Sequence, residues 1–334
     1  MSEERRVRVS VLVITYNSAA VIGRCLQPLA DEPDIEIVVL DNNSYDATLD
    51  TVDRVAPRAR VVRSSENLGF ARGVNAAAAQ ACGEHLLLLN PDARIDPADV
   101  RALSRVLDDG AGIAAPVLEK PGDRLTIREG GRRPDLWRVF CHYYGLSRLS
   151  STVRAVEGLY LLKRNSFVSR DVDWVSGACL MTHAELWREL GGLTTRWFMY
   201  AEDLEYCLRV QDAGHRIVMS AEASGVHTIG ESSAPSGDRR PNSAWVVNLY
   251  DLYKWRISRS RIQNLSWKFA VSGGLLARSA AYRVRAVQDR PRRRSWLEES
   301  RKFSLYARDL LRVPSSPPKD AEPGEVIDRE HART

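Results

Sequence analysis

Short apolar runs alternate with helix-forming segments over the first third of the chain. The runs cover residues 9–14, 35–40, 60–62 and 86–89, and most of their members are β-branched residues or leucine. Four consecutive leucines in the last run predict a strand that is buried on both faces of a sheet. Because strands and helices alternate at short spacing to about residue 110, the pattern predicts a parallel, doubly wound α/β sheet.

Polar residues end each of these runs. Asn90 and Pro91 stop the fourth run, because proline has no N–H to give to a sheet, and Asp92 follows directly. In open α/β sheets, ligands bind at the carboxyl edge of the strands. A carboxylate there suits a divalent cation that holds a phosphate-bearing substrate. The sequence leaves open the alternative that Asp92 caps the next helix.

A second acidic position lies on a predicted helix near residue 203. Leu204, Cys207 and Leu208 recur at helical spacing, so they can anchor one face in the core. Glu202 and Asp203 then lie in the first turn, where acidic residues are also favoured for purely structural reasons.

Composition places the chain among ordinary soluble proteins, with 44% apolar and 27% charged residues in 334. Five cysteines lie far apart without C-x-x-C pairing, which predicts reduced, mostly buried thiols of a cytoplasmic protein. We expect no signal peptide, since the N-terminus is acidic, and no membrane helix, since no apolar run is long enough.

The positive charge is concentrated near the C-terminus. Residues 254–312 hold 16 Lys/Arg against 4 Asp/Glu, whereas residues 1–253 hold 29 against 34. Basic, aromatic helical segments at 244–255, 275–287 and 296–311 predict contact with an anionic membrane surface. The alternatives are a homodimer interface or a solvated basic face. A nucleic-acid partner is not expected, because no recognition motif accompanies the charge. The Pro-rich tail, residues 313–334, is predicted to be disordered.

Two nucleotide-binding classes are excluded by their missing motifs. The turn after the first strand lacks G-x-G-x-x-G, which excludes a dinucleotide-dependent dehydrogenase, and no G-x-x-x-x-G-K-[ST] is present, which excludes a P-loop NTPase.

Four motifs in order carry a family resemblance: VLVITYN at 11–17, LDNNSYD at 40–46, NLGFARGVN at 67–75 and LNPD at 89–92. They resemble the signatures of family 2 glycosyltransferases, which are inverting, metal-dependent enzymes of GT-A fold. The most similar subgroup is the bacterial rhamnosyltransferases of cell-wall and polysaccharide assembly. The resemblance implies a Rossmann-like mixed sheet over residues 1–232, with a donor half (7–115), an acceptor half (116–232) and a C-terminal basic helical extension (233–312).

The chain departs from the family pattern in two places. The metal motif has one carboxylate, Asp92, where many relatives have Asp-x-Asp, and residues 116–170 match no motif.

The resemblance also implies a donor site. Asp41 would accept the imide N–H of a uracil or thymine ring, with an Asx turn as the structural alternative, and Arg72 would approach the diphosphate. The full donor set is Thr15, Tyr16, Asn17, Asp41, Asn43, Arg72, Asn75, Asn90 and Asp92.

The remaining roles concern the acceptor and the metal. Asp203 would be the catalytic base, Glu202 would hold the acceptor or orient the base, and Trp174, Gly177 and Ala178 would border the acceptor. His227 would bind the divalent metal, Mg²⁺ or Mn²⁺, together with Asp92.

These roles predict an inverting transfer of a sugar to a hydroxyl of a lipid-linked or polysaccharide acceptor. The resemblance favours L-rhamnose from dTDP-L-rhamnose, at the inner face of the cell membrane. The alternatives are another UDP-, dTDP- or GDP-sugar, a nucleotidyltransferase, or a catalytically inactive membrane-associated binding module. A nucleotidyltransferase would need a basic glycine-rich loop after the first strand, which is missing here.

Overall fold

The computed structural model of the protein describes residues 7–119, 127–228 and 241–316. The boundary that we predicted between residues 232 and 233, and the predicted tail beyond residue 316, lie outside these ranges.

The described residues form twelve strands and ten α-helices. The strands are β1 Val9–Thr15, β2 Ile35–Asp41, β3 Arg60–Arg63, β4 His85–Leu89, β5 Ala93–Ile95, β6 Ala111–Glu119, β7 Ile127–Gly131, β8 Tyr160–Leu162, β9 Arg170–Val172, β10 Trp174–Val175, β11 Cys179–His183 and β12 Arg216–His227. The helices are α1 Ile22–Leu26, α2 Thr48–Val55, α3 Phe70–Ala78, α4 Pro97–Asp108, α5 Leu136–Tyr143, α6 Ala184–Leu190, α7 Glu202–Asp212, α8 Ala244–Leu252, α9 Arg261–Gln288 and α10 Arg293–Arg312.

A large mixed sheet forms the centre of the molecule. Its order is β3-β2-β1-β4-β11-β6-β12-β5, with β9 also paired to β12. Strands β1 to β4 are mutually parallel where they pair, and β11 runs antiparallel between β4 and β6. All five residues of β4 are buried, as the leucine run predicted. The α/β class and the mixed sheet are therefore confirmed.

A second sheet of three strands, in the order β10-β7-β8, is built largely from residues that matched no motif. Its strands approach closely at Gly131, where an added Cβ would lie 2.0 Å from the carbonyl oxygen of Leu159. This small sheet lies next to the residues that form the candidate site.

Two element boundaries position residues of the candidate site. Helix α3 begins at Phe70, directly after Gly69, which completes the preceding turn with a φ of +78°. Arg72 therefore lies in the first turn of a helix. Strand β12 ends at His227, which places this side chain at a strand terminus.

The C-terminal helices share one hydrophobic core with the α/β part of the chain. Trp267 of α9 is fully buried, and its indole N–H donates to the Pro134 carbonyl at 2.8 Å. Gly274 of the same helix packs against Tyr143 of α5, where an added Cβ would lie 2.3 Å from the Tyr143 Cβ. Within the described ranges, no helix combines the length and the apolarity that a membrane span requires.

Candidate active site

The carboxyl edge of the parallel strands begins with a buried pair. Thr15 and Asp41 lie opposite each other in the register of β1 and β2, and the Thr15 hydroxyl donates to Asp41 Oδ1 at 3.0 Å. The Ser44 N–H donates to Asp41 Oδ2, also at 3.0 Å, so Asp41 does form the turn that was the structural alternative. A carboxylate has about four lone-pair positions, so these two bonds leave acceptor capacity for a base.

Two asparagines at this edge adopt left-handed backbone conformations, with φ of +51° at Asn17 and +63° at Asn43. Asn17 Oδ1 accepts the N–H of Tyr45 at 3.0 Å, while its buried Nδ2 has no hydrogen-bond partner among the described residues. Tyr16 is 41% exposed, and its ring meets Tyr45 edge-on. This edge of the sheet therefore carries an amide donor without a partner among the described residues, Asn17 Nδ2, beside the exposed rings of Tyr16 and Tyr45.

Asn42 is a buried residue that the sequence analysis did not single out. Its amide accepts the N–H of Leu68 and donates to the Gly69 carbonyl, both at 3.2 Å. These bonds attach the end of β2 to the turn that precedes α3, and so they fix the position of Arg72.

The two predicted donor residues on α3 have different environments. Arg72 is exposed and makes no hydrogen bond or ion pair to any described residue. The Asn75 amide instead pairs with Leu193, donating to its carbonyl at 2.8 Å and accepting its N–H at 2.9 Å. Asn75 therefore fixes a loop, and its donor-binding role stays a prediction.

Asp92 and His227 face each other at the same edge, with His227 Nε2 lying 3.3 Å from Asp92 Oδ1. Asp92 does not cap a helix, because the residue at the N-cap of α4 is Asp96. On the far side of the imidazole, His227 Nδ1 lies 2.9 and 3.0 Å from the two carboxylate oxygens of Glu129. Burial lowers the pKa of His227, but its bonds to Asp92 and Glu129 outweigh burial and raise it to about 9.

This donor set fits a divalent cation. A carboxylate oxygen and an imidazole nitrogen are common metal ligands, and a carboxylate on the other ring nitrogen is the usual way to orient such a histidine. Within the described residues, no group of three or more His, Cys, Asp or Glu side chains has metal-binding geometry.

The acidic pair opens helix α7, after two non-glycine residues with positive φ, Tyr200 and Ala201. Asp203 accepts the Gly177 N–H on Oδ2 at 2.8 Å and the Leu204 N–H on Oδ1 at 2.7 Å. Burial raises the pKa of Asp203, these N–H donors oppose the rise, and the charge of Glu129 adds to it.

Glu202 is 3% exposed, and its Oε2 has no hydrogen-bond partner within the described part of the chain. Burial raises the pKa of Glu202 well above its ordinary value, and the neighbouring charge of Asp203 raises it further. A buried carboxyl oxygen without a hydrogen-bond partner destabilises the fold, and a strongly perturbed carboxyl beside other acidic groups is a candidate functional residue.

The dipeptide Gly177–Ala178 joins the two halves of the site. The Gly177 N–H donates to Asp203, and the Ala178 carbonyl accepts the N–H of Asn90 at 2.9 Å. Asn90 precedes Asp92 by two residues, so one short segment contacts both the strand edge that carries Asp92 and the acidic helix.

The small sheet supplies two residues that the sequence analysis missed. Glu129 lies on β7 and Tyr160 on β8, and the Ser176 N–H donates to the Glu129 carbonyl at 3.0 Å. Burial, with the charges of Asp203 and Glu129, raises the pKa of Tyr160 to about 12. The charge of Glu129 acts on His227, Asp203 and Tyr160, so these four groups lie close together, and we call the region between them the cleft.

Trp174 is packed into the small sheet. It is 7% exposed, and its indole N–H is shared between the carbonyls of Arg132 and Leu159, each at 3.1 Å. Its place beside the acceptor stays a prediction.

Helix α8 holds the loop that leads into the acidic pair. Asp251 accepts from Arg196 at 2.7 Å and from the Trp197 indole at 3.2 Å, and Asn248 donates to the Met199 carbonyl at 2.8 Å. The C-terminal extension is thus a structural part of the site.

Comparison with known proteins gives a family match. Residues 10–169 match the family model described as glycosyl transferase family 2. The chain is 26% identical over 305 residues to N-acetylglucosaminyl-diphospho-decaprenol L-rhamnosyltransferase of Mycobacterium tuberculosis, covering 85% of this chain and 95% of that protein. It is 22% identical over 283 residues to the low-salt glycan biosynthesis hexosyltransferase Agl10 of Haloferax volcanii, covering 81% and 84%.

Solved structures confirm the fold. A mannosyltransferase from Pyrobaculum calidifontis, in complex with GDP-Man and Mn²⁺, superposes with a TM-score of 0.53 at 20% identity, over 92% of this chain and 87% of that one. GalNAc-T7 with UDP, GalNAc and Mn²⁺ gives a TM-score of 0.54 at 15% identity, over 77% and 49%. The predicted GT-A fold is therefore confirmed.

Proposed function

We propose that the chain is a family 2 glycosyl transferase, since its residues 10–169 match that family model, and that it is an inverting transferase that moves L-rhamnose from dTDP-L-rhamnose. The proposed acceptor is a hydroxyl of a saccharide carried on a lipid diphosphate. The name of the mycobacterial relative, which describes such a sugar and such an acceptor, supports both choices. We place the reaction in the cytoplasm, at the inner face of the cell membrane.

The proposal rests on the two hydrogen bonds by which Gly177–Ala178 contacts both halves of the site. Because the dipeptide bonds to Asp203 on one side and to Asn90 on the other, the proposed base and the proposed metal edge open onto the same cleft. A single displacement needs this arrangement, since attack and departure occur on opposite faces of one carbon.

Asp203 acts as the general base. Two backbone N–H donors hold its carboxylate, and its raised pKa strengthens it as a proton acceptor. It takes the proton of the acceptor hydroxyl while that oxygen bonds to the anomeric carbon. The bond from this carbon to the diphosphate oxygen breaks on the opposite face, so the anomeric configuration inverts.

The leaving diphosphate is stabilised from the other side of the cleft. Arg72, exposed in the first turn of α3, offers a permanent positive charge and is not paired to a described carboxylate. Asp92 and His227 would hold a divalent cation, Mg²⁺ or Mn²⁺, and Glu129 orients the imidazole for it. When bound, the cation supplies charge stabilisation to the diphosphate oxygens.

A donor screen tests the proposal. The purified protein is incubated with Mg²⁺ or Mn²⁺ and dTDP-, UDP- or GDP-sugars, with and without a lipid-diphosphate saccharide, and released nucleoside diphosphate is measured. We expect turnover with dTDP-L-rhamnose that depends on the acceptor and on Asp203. Turnover only with another donor would replace the sugar, and no turnover with any donor would favour an inactive binding module.

A further inference from the structure

An apolar stripe runs along the outer face of α9. Positions three, four or seven residues apart lie on one side of a helix, and the residues in this register are exposed. They are Ile262, Leu265, Phe269, Leu276, Val284 and Val287, between 36% and 77% exposed. An exposed apolar stripe of this length on a 28-residue helix indicates a surface that contacts another molecule or a membrane.

Exposed aromatic residues of helix α5 lie beside this stripe. Trp137, Phe140 and Tyr144 are each at least 37% exposed and stack in sequence, with ring centroids 6.1 and 4.7 Å apart. The Tyr144 hydroxyl lies so close to Gly273 of α9 that an added Cβ there would be 2.6 Å from it. The aromatic rings of α5 and the stripe of α9 therefore form one continuous surface, which we call the α5–α9 face.

The charge of this face has a single sign. Residues 136–156 and 256–288, which include α5 and α9, hold ten Lys/Arg and no Asp or Glu, although the whole chain has 43 acidic residues in 334. Arg148 and Arg283 are exposed beside the apolar positions, and the exposed arginines of residues 290–294 follow the end of α9.

Three tryptophans of the C-terminal helices are packed inward. Trp267 is fully buried, Trp245 packs edge-on against Tyr306, and Trp296 stacks on Tyr282. The exposed aromatic residues of the α5–α9 face are Phe269 of α9 and the three residues of α5, and α5 lies outside the region where the positive charge is concentrated.

We propose that the α5–α9 face is a docking surface for an anionic lipid bilayer. Exposed apolar side chains can enter the acyl boundary while the arginines beside them meet anionic headgroups. A second copy of the chain fits poorly, because a twofold interface would bring the exposed arginines of this face, such as Arg148 and Arg283, against the same arginines of the other copy. RNA or DNA would satisfy the arginines but leave the apolar stripe in water.

Docking depends on the proposed function only for its biological purpose, which is to bring the cleft to an acceptor carried on a lipid. Docking itself needs neither donor nor acceptor, so it is measured separately from transfer. The full-length protein is sedimented with vesicles of phosphatidylcholine alone, and with vesicles in which one third of the lipid is phosphatidylglycerol, at physiological salt.

We expect binding to the anionic vesicles and much weaker binding to the neutral ones. The double variant Phe269→Ser/Leu276→Ser should bind the anionic vesicles at least about tenfold more weakly, because two exposed apolar groups no longer enter the bilayer. Arg148→Gln and Arg283→Gln should each weaken binding about fivefold. Val61→Ser, at an exposed position on the edge strand β3, is the matched control and should bind like the wild type.

Three results would overturn the proposal. They are equal binding by the wild type and the double variant, a soluble dimer that the double variant dissociates in light scattering, and RNA binding tighter than vesicle binding. Turnover of a water-soluble acceptor analogue by the double variant, with an unchanged melting temperature, shows that the variant is folded and that transfer is intact.

Discussion

The backbone N–H of Gly177 donates a 2.8 Å hydrogen bond to Oδ2 of Asp203. The amide oxygen of Asp203→Asn can accept this bond, but its NH2 group cannot accept the Leu204 N–H that Oδ1 accepts in the wild type. The variant therefore loses the proton acceptor and one of the two backbone hydrogen bonds. We expect turnover to fall by about 10²–10⁴-fold, with the KM for the donor nearly unchanged. Steady-state kinetics with varied donor concentration measure both quantities.

The matched control for this substitution is Asp212→Asn, on the same helix. Asp212 is exposed and pairs with Arg256 at 2.9 Å, so its loss should change turnover by less than about twofold. A similar loss of activity in both variants would show that the effect comes from the helix and not from a base.

Glu202 should make stability depend on pH in a defined direction. Its pKa is raised by burial, so the folded state holds the proton more tightly than the unfolded state. Folding is therefore weakened as the pH rises through the folded-state pKa, and the penalty disappears toward the ordinary value of 4.5.

Glu202→Gln removes this penalty, because the amide carries no charge. We expect the variant to be more stable than the wild type by about 1–3 kcal/mol at alkaline pH, with the difference vanishing as the pH falls toward the ordinary carboxyl range. Chemical denaturation across the pH range measures the difference. A pH-independent difference would contradict a buried, titrating carboxyl.

Glu129 should affect metal binding without touching the metal. Its carboxylate oxygens lie 2.9 and 3.0 Å from His227 Nδ1, so Glu129→Gln weakens the orientation of the imidazole. We expect Mn²⁺ to bind about 10–100-fold more weakly, as measured by the resonance signal of free Mn²⁺. Glu185→Gln, an exposed position on α6, serves as the control and should leave the affinity unchanged.

Asn248 should influence turnover from the C-terminal helices. Its side chain donates to the Met199 carbonyl at 2.8 Å and so holds the loop that ends in the positive φ values of Tyr200 and Ala201. We expect Asn248→Ala to cost about 1 kcal/mol of stability and about tenfold in turnover. Asn242→Ala, which removes only an exposed bond to the Ala244 N–H at the start of α8, should leave turnover unchanged.

Sequence reasoning succeeded where the chain is locally periodic. The strand ends at Thr15, Asp41 and Asn90 could be placed on one edge because parallel strands align their carboxyl termini. The acidic pair could be placed at the start of a helix because Leu204, Cys207 and Leu208 recur at helical spacing, and all three are buried.

The parts that could not be predicted depend on contacts between residues far apart in sequence. Glu129 reaches His227 only because the small sheet forms, and the two residues are separated by 98 positions. The Asn75 amide bonds to Leu193 across 118 positions, which no local pattern indicates. Trp174 shows the same limit, since a short strand does not reveal what covers it.

The loop between α6 and α7 contacts both the donor side and the acceptor side of the cleft. The Phe198 carbonyl accepts the N–H of Phe70 at 2.9 Å, and Phe70 opens the helix that carries Arg72. Five residues after Phe198 the chain reaches Asp203. A bound nucleotide that fixes the position of Arg72 therefore also fixes the position of Asp203. We expect an ordered kinetic scheme in which the donor binds first and the nucleoside diphosphate leaves last.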